Sequence, residues 1–271
     1  MTTVATIAEK HPDRTALVYG HGEHEVSYGA LEQRSRRIGH LLRRLGLVPG
    51  DCVAAYLAND DVFFDLFWAC HRVGLFFTPV NWHLQRDEIE YVVDNSDAKL
   101  LLAHSRFGAI AADVARCVPR LARSLSVGGE IPGFLALEDA IADVPEDLGL
   151  DGQLEGSVML YSSGTTGRPK GVRRPLSGRP AGDTLDALLS TGLLLLFGIT
   201  EKDRYLTPAP LYHAAPLLFT SAQMRLGSTS YVMRRFDPEQ ALRMIHDYRI
   251  TVSQWVPTHF RRFLQLPETL R

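Results

Sequence analysis

The residues best suited to chemistry lie together in one loop. Residues 158–172 read VMLYSSGTTGRPKGV, in which an apolar run passes directly into a stretch dominated by Gly, Ser and Thr. Glycines let the main chain approach a ligand closely and turn its N–H groups inward. The hydroxyl groups add donors, and Lys170 adds a mobile positive charge. This combination predicts a loop that surrounds a polyphosphate.

Other phosphate-binding loops fit this segment less well. The Walker-type loop requires Gly immediately before its Lys and Ser or Thr after it, whereas Lys170 lies between Pro169 and Gly171. The dinucleotide pattern G-x-G-x-x-G is also not matched. Pro169 disfavours a helix that begins directly on the loop, so a helix dipole is not the expected source of binding. The alternative is that this segment is an ordinary solvated surface loop, rich in Gly, Ser and Thr, that binds no ligand.

The loop resembles the signature motif of the adenylate-forming superfamily, which comprises acyl- and aryl-CoA synthetases, adenylation domains of peptide synthetases and beetle luciferases. The matching string is YSSGTTGRPKGV, residues 161–172, and its order is highly specific. In that family the loop holds the β- and γ-phosphates of ATP and then pyrophosphate. The resemblance assigns nucleotide binding to Ser162, Ser163, Gly164, Thr165, Thr166, Gly167 and Lys170.

Two further segments resemble the same family. PLYH, residues 210–213, is similar to its next core motif, which makes His213 the candidate catalytic residue that contacts the acyl carboxylate or its adenylate, with Tyr212 beside it. FDPE, residues 236–239, and VPT, residues 256–258, resemble the wall of the acyl pocket, where Trp255 and Thr258 are candidates. Met224 is a further pocket candidate, although Met and aromatic residues at such spacing are equally expected in a core.

The resemblance implies a two-step reaction. A carboxylate attacks the α-phosphate of Mg-ATP to give acyl-AMP and pyrophosphate, and the thiol of coenzyme A then displaces AMP. ATP, Mg²⁺ and coenzyme A are the implied cofactors and co-substrates. In family members the adenine pocket, the ribose-binding Asp, the Mg-associated acid and the catalytic Lys follow the position of Thr258. We expect the C-terminal domain to be absent and the 271 residues alone to be inactive in adenylation.

The sequence departs from the family pattern at two places. His83 stands where many members have Arg, and Arg173-Arg174-Pro175 replaces the usual ending of the phosphate loop with its own His. Either arginine could add positive charge for the phosphates.

Strand-like and helix-like segments alternate along the chain. After a hairpin at 15–19 and 25–27, helices are expected at 28–45, from 59 to near 74, 86–93, 184–197, 214–226 and 238–248. Strands are expected at 53–57, 76–80, 99–103, 158–161, 205–207, 230–233 and 250–256. Asn59 is the expected cap of the second helix, and 124–151 is expected to be a loop or a subdomain boundary.

This alternation predicts an α/β fold with layered α/β/α subdomains, mostly parallel sheets and helices on both faces. We expect a first α/β subdomain over 1–150 and a second, which carries the phosphate loop, over 151–271.

Composition restricts the class of protein. The chain is 45% hydrophobic and 22% charged with a net charge of −2, which suits a globular protein and argues against general nucleic-acid binding. Cys52, Cys70 and Cys117 are expected to be reduced core residues. No secretory signal pattern is visible, so the cytoplasm is the expected location. The apolar stretch 187–199 is too short to span a membrane and is expected to be buried or to touch a membrane peripherally.

Several alternatives stay open at this point. A metal site at His21, Glu23, His24 and Glu25 is less favoured than a polar hairpin turn, so no metal ligand is assigned. The chain is an acyl-activating enzyme or a non-catalytic nucleotide-binding, acyl-binding or assembly module of the same fold. A phosphotransferase is a third option, which the absent Walker spacing disfavours. A long fatty acid is the first choice of substrate, from the apolar residues 193–197 and 216–219, and an aryl or short branched acid is the alternative. A homodimer is a further possibility.

Overall fold

The computed structural model describes residues 3–162 and 168–270, except the side chain of residue 186. The chain divides into two compact units. The split unit comprises Met1–Glu32 and Leu185–Arg271, and the continuous unit comprises Gln33–Thr184. This division differs from the expected boundary near residue 150, because strands from the two ends of the chain pair with each other.

The continuous unit contains a parallel sheet flanked by helices. Its described elements are the main part of α2 (Tyr28–Arg44), β3 (Cys52–Tyr56), α3 (Phe63–Arg72), β4 (Phe76–Pro79), α4 (Arg86–Asn95), β5 (Ala98–His104), α5 (Gly108–Cys117), β6 (Arg123–Val127), β7 (Leu135–Ala136), α6 (Leu137–Ile141), β8 (Ser157–Val158), β9 (Leu160–Ser162) and β10 (Lys170–Val172). Among these, six strands run parallel in the order β7-β6-β5-β3-β4-β8, and β9 and β10 form a separate antiparallel pair.

The split unit contains a second, mostly parallel sheet. Its described elements are α1 (Val4–Lys10), β1 (Thr15–Tyr19), β2 (His24–Ser27), the start of α2, α7 (Leu185–Leu196), β11 (Arg204–Thr207), α8 (Ala214–Leu226), β12 (Thr229–Val232), α9 (Pro238–Asp247), β13 (Val252–Ser253) and α10 (Pro257–Leu264). The strand order is β13-β11-β12-β1-β2, with β2 antiparallel to β1. The predicted α/β fold with mostly parallel sheets and flanking helices is confirmed.

Both sheets are covered by apolar side chains. In the continuous unit, Phe63, Phe67 and Phe77 are fully buried and meet edge to face, with ring centroids 5.4 Å apart in the two pairs with Phe77. In the split unit, Leu206 and Met244 are fully buried within the cluster that packs on one face of its sheet. Near-continuous apolar strands are expected wherever helices cover a parallel sheet.

Three local predictions were wrong. The helix α3 begins at Phe63 rather than after Asn59, because the Asp60 carboxylate accepts a hydrogen bond from Ala58 N (2.9 Å) and pairs with Arg106, which gives the preceding segment its own turn. The segment 124–151 contains β6, β7 and α6 instead of loop alone. The last expected strand is limited to Val252–Ser253.

The three cysteines are free thiols, but they are not all in the core. Cys52 and Cys70 are buried, whereas Cys117 is exposed and its Sγ accepts a hydrogen bond from Arg86 (3.0 Å). Cys117 is the last residue of α5, where the helix reaches the surface. No helix in residues 3–162 or 168–270 combines enough length and apolar character to cross a lipid bilayer.

Candidate functional site

The predicted phosphate loop connects the two strands of the β9–β10 hairpin. The predicted strand at 158–161 divides at Met159: β8 joins the large sheet beside β4, and β9 turns away to pair with β10. Ser162 and Lys170 are Cα partners in this pair, so the two ends of the loop lie side by side. The predicted ligands Ser163, Gly164, Thr165, Thr166 and Gly167 lie outside the described residues.

Ser162 and Lys170 are both exposed at the open end of the hairpin. Within the described ranges, Lys170 forms no ion pair with a carboxylate. An exposed ammonium group without a counter-ion can move toward an anionic ligand at little cost, since no existing pair must be broken. The structure therefore places two of the predicted nucleotide ligands together, with the lysine available.

The base of the hairpin rests on the end of α4. Tyr161 Oη donates a hydrogen bond to Asn95 Oδ1 (2.8 Å), and burial raises the pKa of the Tyr161 hydroxyl, which stays neutral. The Arg168 guanidinium lies over the Tyr91 ring at 5.0 Å. Each contact ties one strand end of the hairpin to the same helix.

Gly171 allows the hairpin strands to pack closely. A Cβ atom at this position would lie 2.6 Å from Met159 Cε and 2.8 Å from Tyr161 Cζ. Any larger residue after Lys170 would make the ends of these two side chains shift, so the glycine suits the packing of the hairpin independently of any ligand.

Arg173 is already engaged within the fold. Its guanidinium donates to Gly50 O (2.6 Å), lies 4.4 Å from the centre of the Phe76 ring, and is 3.5 Å from Asp97 Oδ2. Arg174 is exposed, and the described residues give it no ion-pair partner. Of the two arginines expected to add charge for phosphates, Arg174 is the one without an ion-pair partner among the described residues. Both line a cavity of about 430 Å³ with Gly50, Phe76, Pro175 and Leu176.

The second predicted motif lies in the split unit, at the start of α8. His213 is the N-cap residue of this helix and is exposed, and its ring centroid is 4.4 Å from that of Tyr212. Tyr212 is half-buried, which raises the pKa of its hydroxyl. His213 N donates to Pro210 O (3.2 Å), so a tight turn brings the two rings to the helix start.

The pocket candidates have different surroundings. Trp255 is half-buried in an aromatic cluster with Phe236 and Phe263, at centroid distances of 6.3 and 5.2 Å. Thr258 is exposed in the first turn of α10. Met224 is fully buried, and its carbonyl accepts a hydrogen bond from Tyr28 Oη (3.1 Å), which places it in the core.

The two apolar segments that suggested a fatty-acid pocket, 193–197 and 216–219, each contain both buried and exposed side chains. In α7, residues 193, 195 and 196 have exposed apolar side chains, as has Phe197 directly after the helix, whereas Leu194 is buried. In α8, Pro216 and Leu217 are buried and Phe219 packs against Leu194 and its neighbours. Leu218 of α8 is exposed, so each helix directs part of its apolar segment into the core and part to the surface.

The histidines and glutamates of the β1–β2 turn interact with neighbouring side chains. His21 Nε2 is 3.0 Å from Asp247 Oδ2, and Glu23 Oε2 accepts a hydrogen bond from Arg234 (2.6 Å). Within the residues that the structure describes, no group of three or more His, Cys, Asp or Glu side chains is arranged to hold a metal ion.

Sequence analysis missed the residues that anchor the loop. Asn95 and Asp97 are 66 and 76 positions before their partners Tyr161 and Arg173. Neither belongs to a motif, and no local pattern indicates a contact over that separation. The sequence did single out Arg173 and Arg174, because they depart from the family pattern, but it gave no indication of the residues that they contact.

Comparison with known proteins identifies the family. The model of the family described as AMP-binding enzyme matches residues 4–271. The fatty acid–[acyl-carrier-protein] ligase ScoC of Streptomyces coeruleorubidus is 29% identical over 272 residues, which cover 95% of this chain and 51% of ScoC. The feruloyl-CoA synthase of an Amycolatopsis species is 31% identical over 96% of this chain and 49% of its own length. The chain spans about half the length of these relatives.

A solved structure supports the same fold. The N-terminal domain of FACL13 from Mycobacterium tuberculosis, bound to an inhibitor, superposes with a TM-score of 0.83 at 22% identity and covers 100% of this chain and 67% of that domain. At this level of identity the likeness concerns the fold alone.

Proposed function

The chain belongs to the AMP-binding enzyme family of adenylate-forming acid ligases, and from this premise we propose that its β9–β10 hairpin holds the polyphosphate of ATP during activation of a carboxylic acid. The observation that carries the proposal is the position of Lys170. Its ammonium group is exposed, has no carboxylate partner among the described residues, and lies opposite Ser162 at the mouth of the loop. A pyrophosphate group bound there would meet a positive charge that no described carboxylate neutralises.

The proposed reaction has two steps. A carboxylate oxygen of the acid attacks the α-phosphate of ATP, and the bond to the bridging oxygen breaks to release pyrophosphate. Negative charge grows on that leaving group, so Lys170 and the main-chain N–H groups of the loop stabilise the transition state. The thiolate of coenzyme A then attacks the acyl carbon and AMP leaves. Mg²⁺ would enter with ATP, and we assign none of the described side chains to it.

His213 is the proposed contact for the carboxylate or for the acyl-adenylate. Its ring is exposed at the N-cap position, immediately before α8, where the positive end of the helix dipole also favours a negative charge. Tyr212, at a ring distance of 4.4 Å, limits the orientations that the imidazole can adopt. We propose that Trp255 and Thr258 contribute to the acyl pocket.

The proposed substrate is a fatty acid, with an aryl acid as the alternative. ScoC is named for a fatty acid and the Amycolatopsis enzyme for a feruloyl group, so the relatives support both classes. The acceptor also differs between these two names, an acyl carrier protein in one and coenzyme A in the other. We propose coenzyme A as the acceptor for this chain.

Thermal unfolding with and without Mg-ATP tests the role of the hairpin. Ligand binding to the folded state alone raises the melting temperature, so we expect Mg-ATP to stabilise the wild-type chain. The substitution Lys170→Ala should weaken Mg-ATP binding at least about tenfold, which corresponds to a loss of about 1.4 kcal/mol.

Lys202→Ala is the matched control, since Lys202 is also exposed but lies in the turn between α7 and β11 of the split unit. This variant should keep the full stabilisation by Mg-ATP. An unchanged response of the Lys170→Ala variant, or an equal loss in both variants, would refute the assignment of the loop.

A further inference from the structure

The β9–β10 hairpin is an excursion of the chain whose two ends meet at Glu155. We call residues 154–157 the incoming segment and residues 173–182 the outgoing segment. Glu155 N donates a hydrogen bond to Arg179 O (2.9 Å), and Glu155 Oε2 accepts one from Gly182 N (2.5 Å). The main chain and the side chain of Glu155 therefore both hold the outgoing segment.

The incoming segment is held on the end of α3 through its main chain. Gly156 N donates to His71 O (2.7 Å), and Ser157 N donates to Leu75 O (3.1 Å). A Cβ atom at Gly156 would lie 2.7 Å from Cys70 O, and a main-chain oxygen cannot move aside as the end of a side chain can. Glycine therefore lets the incoming segment approach α3 this closely, and the approach fixes where the chain enters the hairpin.

His71 contacts the Glu155 carboxylate from the side of α3. His71 Nδ1 is 3.0 Å from Glu155 Oε1, and the two side chains are 12% and 8% exposed. The imidazole in turn packs against the Phe67 ring, with ring centroids 4.2 Å apart. One carboxylate oxygen thus faces α3 and the other faces the outgoing segment. Such a buried carboxylate keeps one geometry, because the loss of either contact would leave a polar atom unsatisfied.

Most of the outgoing segment is exposed. Leu176 is half-buried, and Gly182 is the first buried residue after β10. An exposed chain without regular structure can follow many paths unless its ends are held. Arg173 holds the beginning of the outgoing segment through its hydrogen bond to a main-chain oxygen, and the Glu155 carboxylate holds its end.

We propose that Glu155 is a positioning residue for nucleotide binding: its carboxylate joins α3 to the outgoing segment and holds both ends of the β9–β10 hairpin in place for the polyphosphate. This inference rests on the function proposed above for the hairpin. Closure between residues 155 and 182, which are 27 positions apart, reduces the number of conformations open to the hairpin before a ligand arrives. Less conformational entropy is then lost on binding, so the affinity rises.

A purely structural role of Glu155 is the alternative, and Asp60 provides the comparison. The Asp60 carboxylate is similarly buried, pairs with Arg106 and accepts a hydrogen bond from Ala58 N (2.9 Å). None of these contacts involves the hairpin. If Glu155 only stabilises the continuous unit, the loss of either carboxylate should have the same consequences.

Titration calorimetry of the complete chain with Mg-ATP tests the role of Glu155, at a temperature at which circular dichroism shows each variant to be folded. Glu155→Ala should raise the Kd for Mg-ATP at least about tenfold. Glu155→Gln should stay within about threefold of the wild type, because its amide oxygen can accept from Gly182 N and its amide nitrogen can donate to an unprotonated His71 Nδ1. Asp60→Ala is the matched control and should keep the wild-type Kd.

Hydrogen exchange gives a second measurement that needs no ligand. Peptides that cover residues 176–184 should exchange at least about tenfold faster in Glu155→Ala than in the wild type, whereas exchange in β5 should stay slow. If Glu155→Ala does not fold, Glu155→Asp takes its place. Its side chain is one methylene shorter and cannot reach both His71 and Gly182, so the same two changes are expected.

Four results would overturn the positioning role of Glu155. These are unchanged hydrogen exchange at 176–184, a wild-type Kd in Glu155→Ala, an equal loss of affinity in Asp60→Ala, and a Glu155→Gln variant as weak as Glu155→Ala. The last result would show that the charge matters rather than the bridge.

The Lys170→Ala variant separates this inference from the proposed function. Weaker Mg-ATP binding by Lys170→Ala, with no change in Glu155→Ala, would refute the positioning role alone. No Mg-ATP binding by the wild type, or unchanged binding by Lys170→Ala, would refute the proposed function and this inference with it.

Discussion

Arg173 and Arg174 are adjacent in sequence, but their side chains have different surroundings. Arg173 donates to a main-chain oxygen, lies on an aromatic ring and faces Asp97, so its charge is already used to hold β10 in place. Arg174 projects into solvent. A guanidinium that is fixed by three contacts supports the geometry of a site, whereas a free guanidinium contributes charge to a ligand.

Substitution of the two arginines should separate these roles. Arg173→Ala should lower the free energy of unfolding by about 1–2 kcal/mol, because a hydrogen bond from a charged donor and a cation–π contact are lost at a partly exposed site. Arg174→Ala should change it by less than about 0.5 kcal/mol. Urea unfolding measures both values.

The two arginines should also differ in their effect on Mg-ATP binding, and the salt dependence of the affinity shows this difference. The loss of affinity in Arg174→Ala should shrink as the salt concentration rises, because solvent-exposed charges are screened. Arg173→Lys is the control for charge alone, since lysine keeps the charge but not the planar donor group, and it should stay destabilised. Equal effects of Arg173→Ala and Arg174→Ala on stability would contradict the distinction.

At the scale of elements, the β9–β10 hairpin depends on α4 and on the turn that follows it. Tyr161, Arg168 and Arg173 contact Asn95, Tyr91 and Asp97 respectively. The loop therefore needs a correctly placed α4 even though the two segments are far apart in sequence. The same unit also contains an ion pair between α2 and α3 whose energetics depend on pH.

Asp65 of α3 should make stability depend on pH. Burial raises the pKa of its carboxyl to about 7, although Arg34 Nε lies 2.7 Å away. The folded state then holds a proton more tightly than the unfolded state, where the pKa is 3.8. The stabilisation is complete below about pH 4 and is lost as the pH rises through 7, with a slope of up to about 1.4 kcal/mol per pH unit.

Urea unfolding of the wild type and of Asp65→Asn between pH 5 and pH 8 checks this prediction. The variant cannot ionise, so its stability relative to the wild type should increase toward pH 7 and then level off. A difference between the two proteins that stays constant with pH would show that the Asp65 carboxyl is ionised throughout this range.

At the scale of the whole molecule, nucleotide binding and turnover are separate properties. The proposed role of the hairpin concerns the polyphosphate of ATP, whereas turnover also requires an acid to attack the α-phosphate. We expect Mg-ATP to stabilise the 271 residues whether or not they carry out fatty-acid-dependent ATP–pyrophosphate exchange.

Exchange of labelled pyrophosphate into ATP measures this directly, with ScoC as the positive control. Acid-dependent exchange by the purified chain would show that these residues are sufficient for the first step. The same preparation should be used for thermal unfolding, so that a missing exchange signal can be compared with intact nucleotide binding.

The amino-acid sequence by itself determined the features that depend on neighbouring residues. The string from Tyr161 to Val172 identified the family, and the alternation of apolar strands with amphipathic helices predicted the α/β fold; family and fold are confirmed. These features are local, because residue type and spacing set backbone preference and the apolar face of each element.

Only the tertiary structure decided which distant segments meet. Parallel pairing of β1 with β12 puts both ends of the chain in one unit, and Asn95 and Asp97 anchor a loop that begins more than 60 residues later. The sequence marks α7 as apolar, but only its packing shows that Leu194 is buried while Leu196 faces solvent. Such pairings depend on complementary surfaces between segments, which no single stretch of residues encodes.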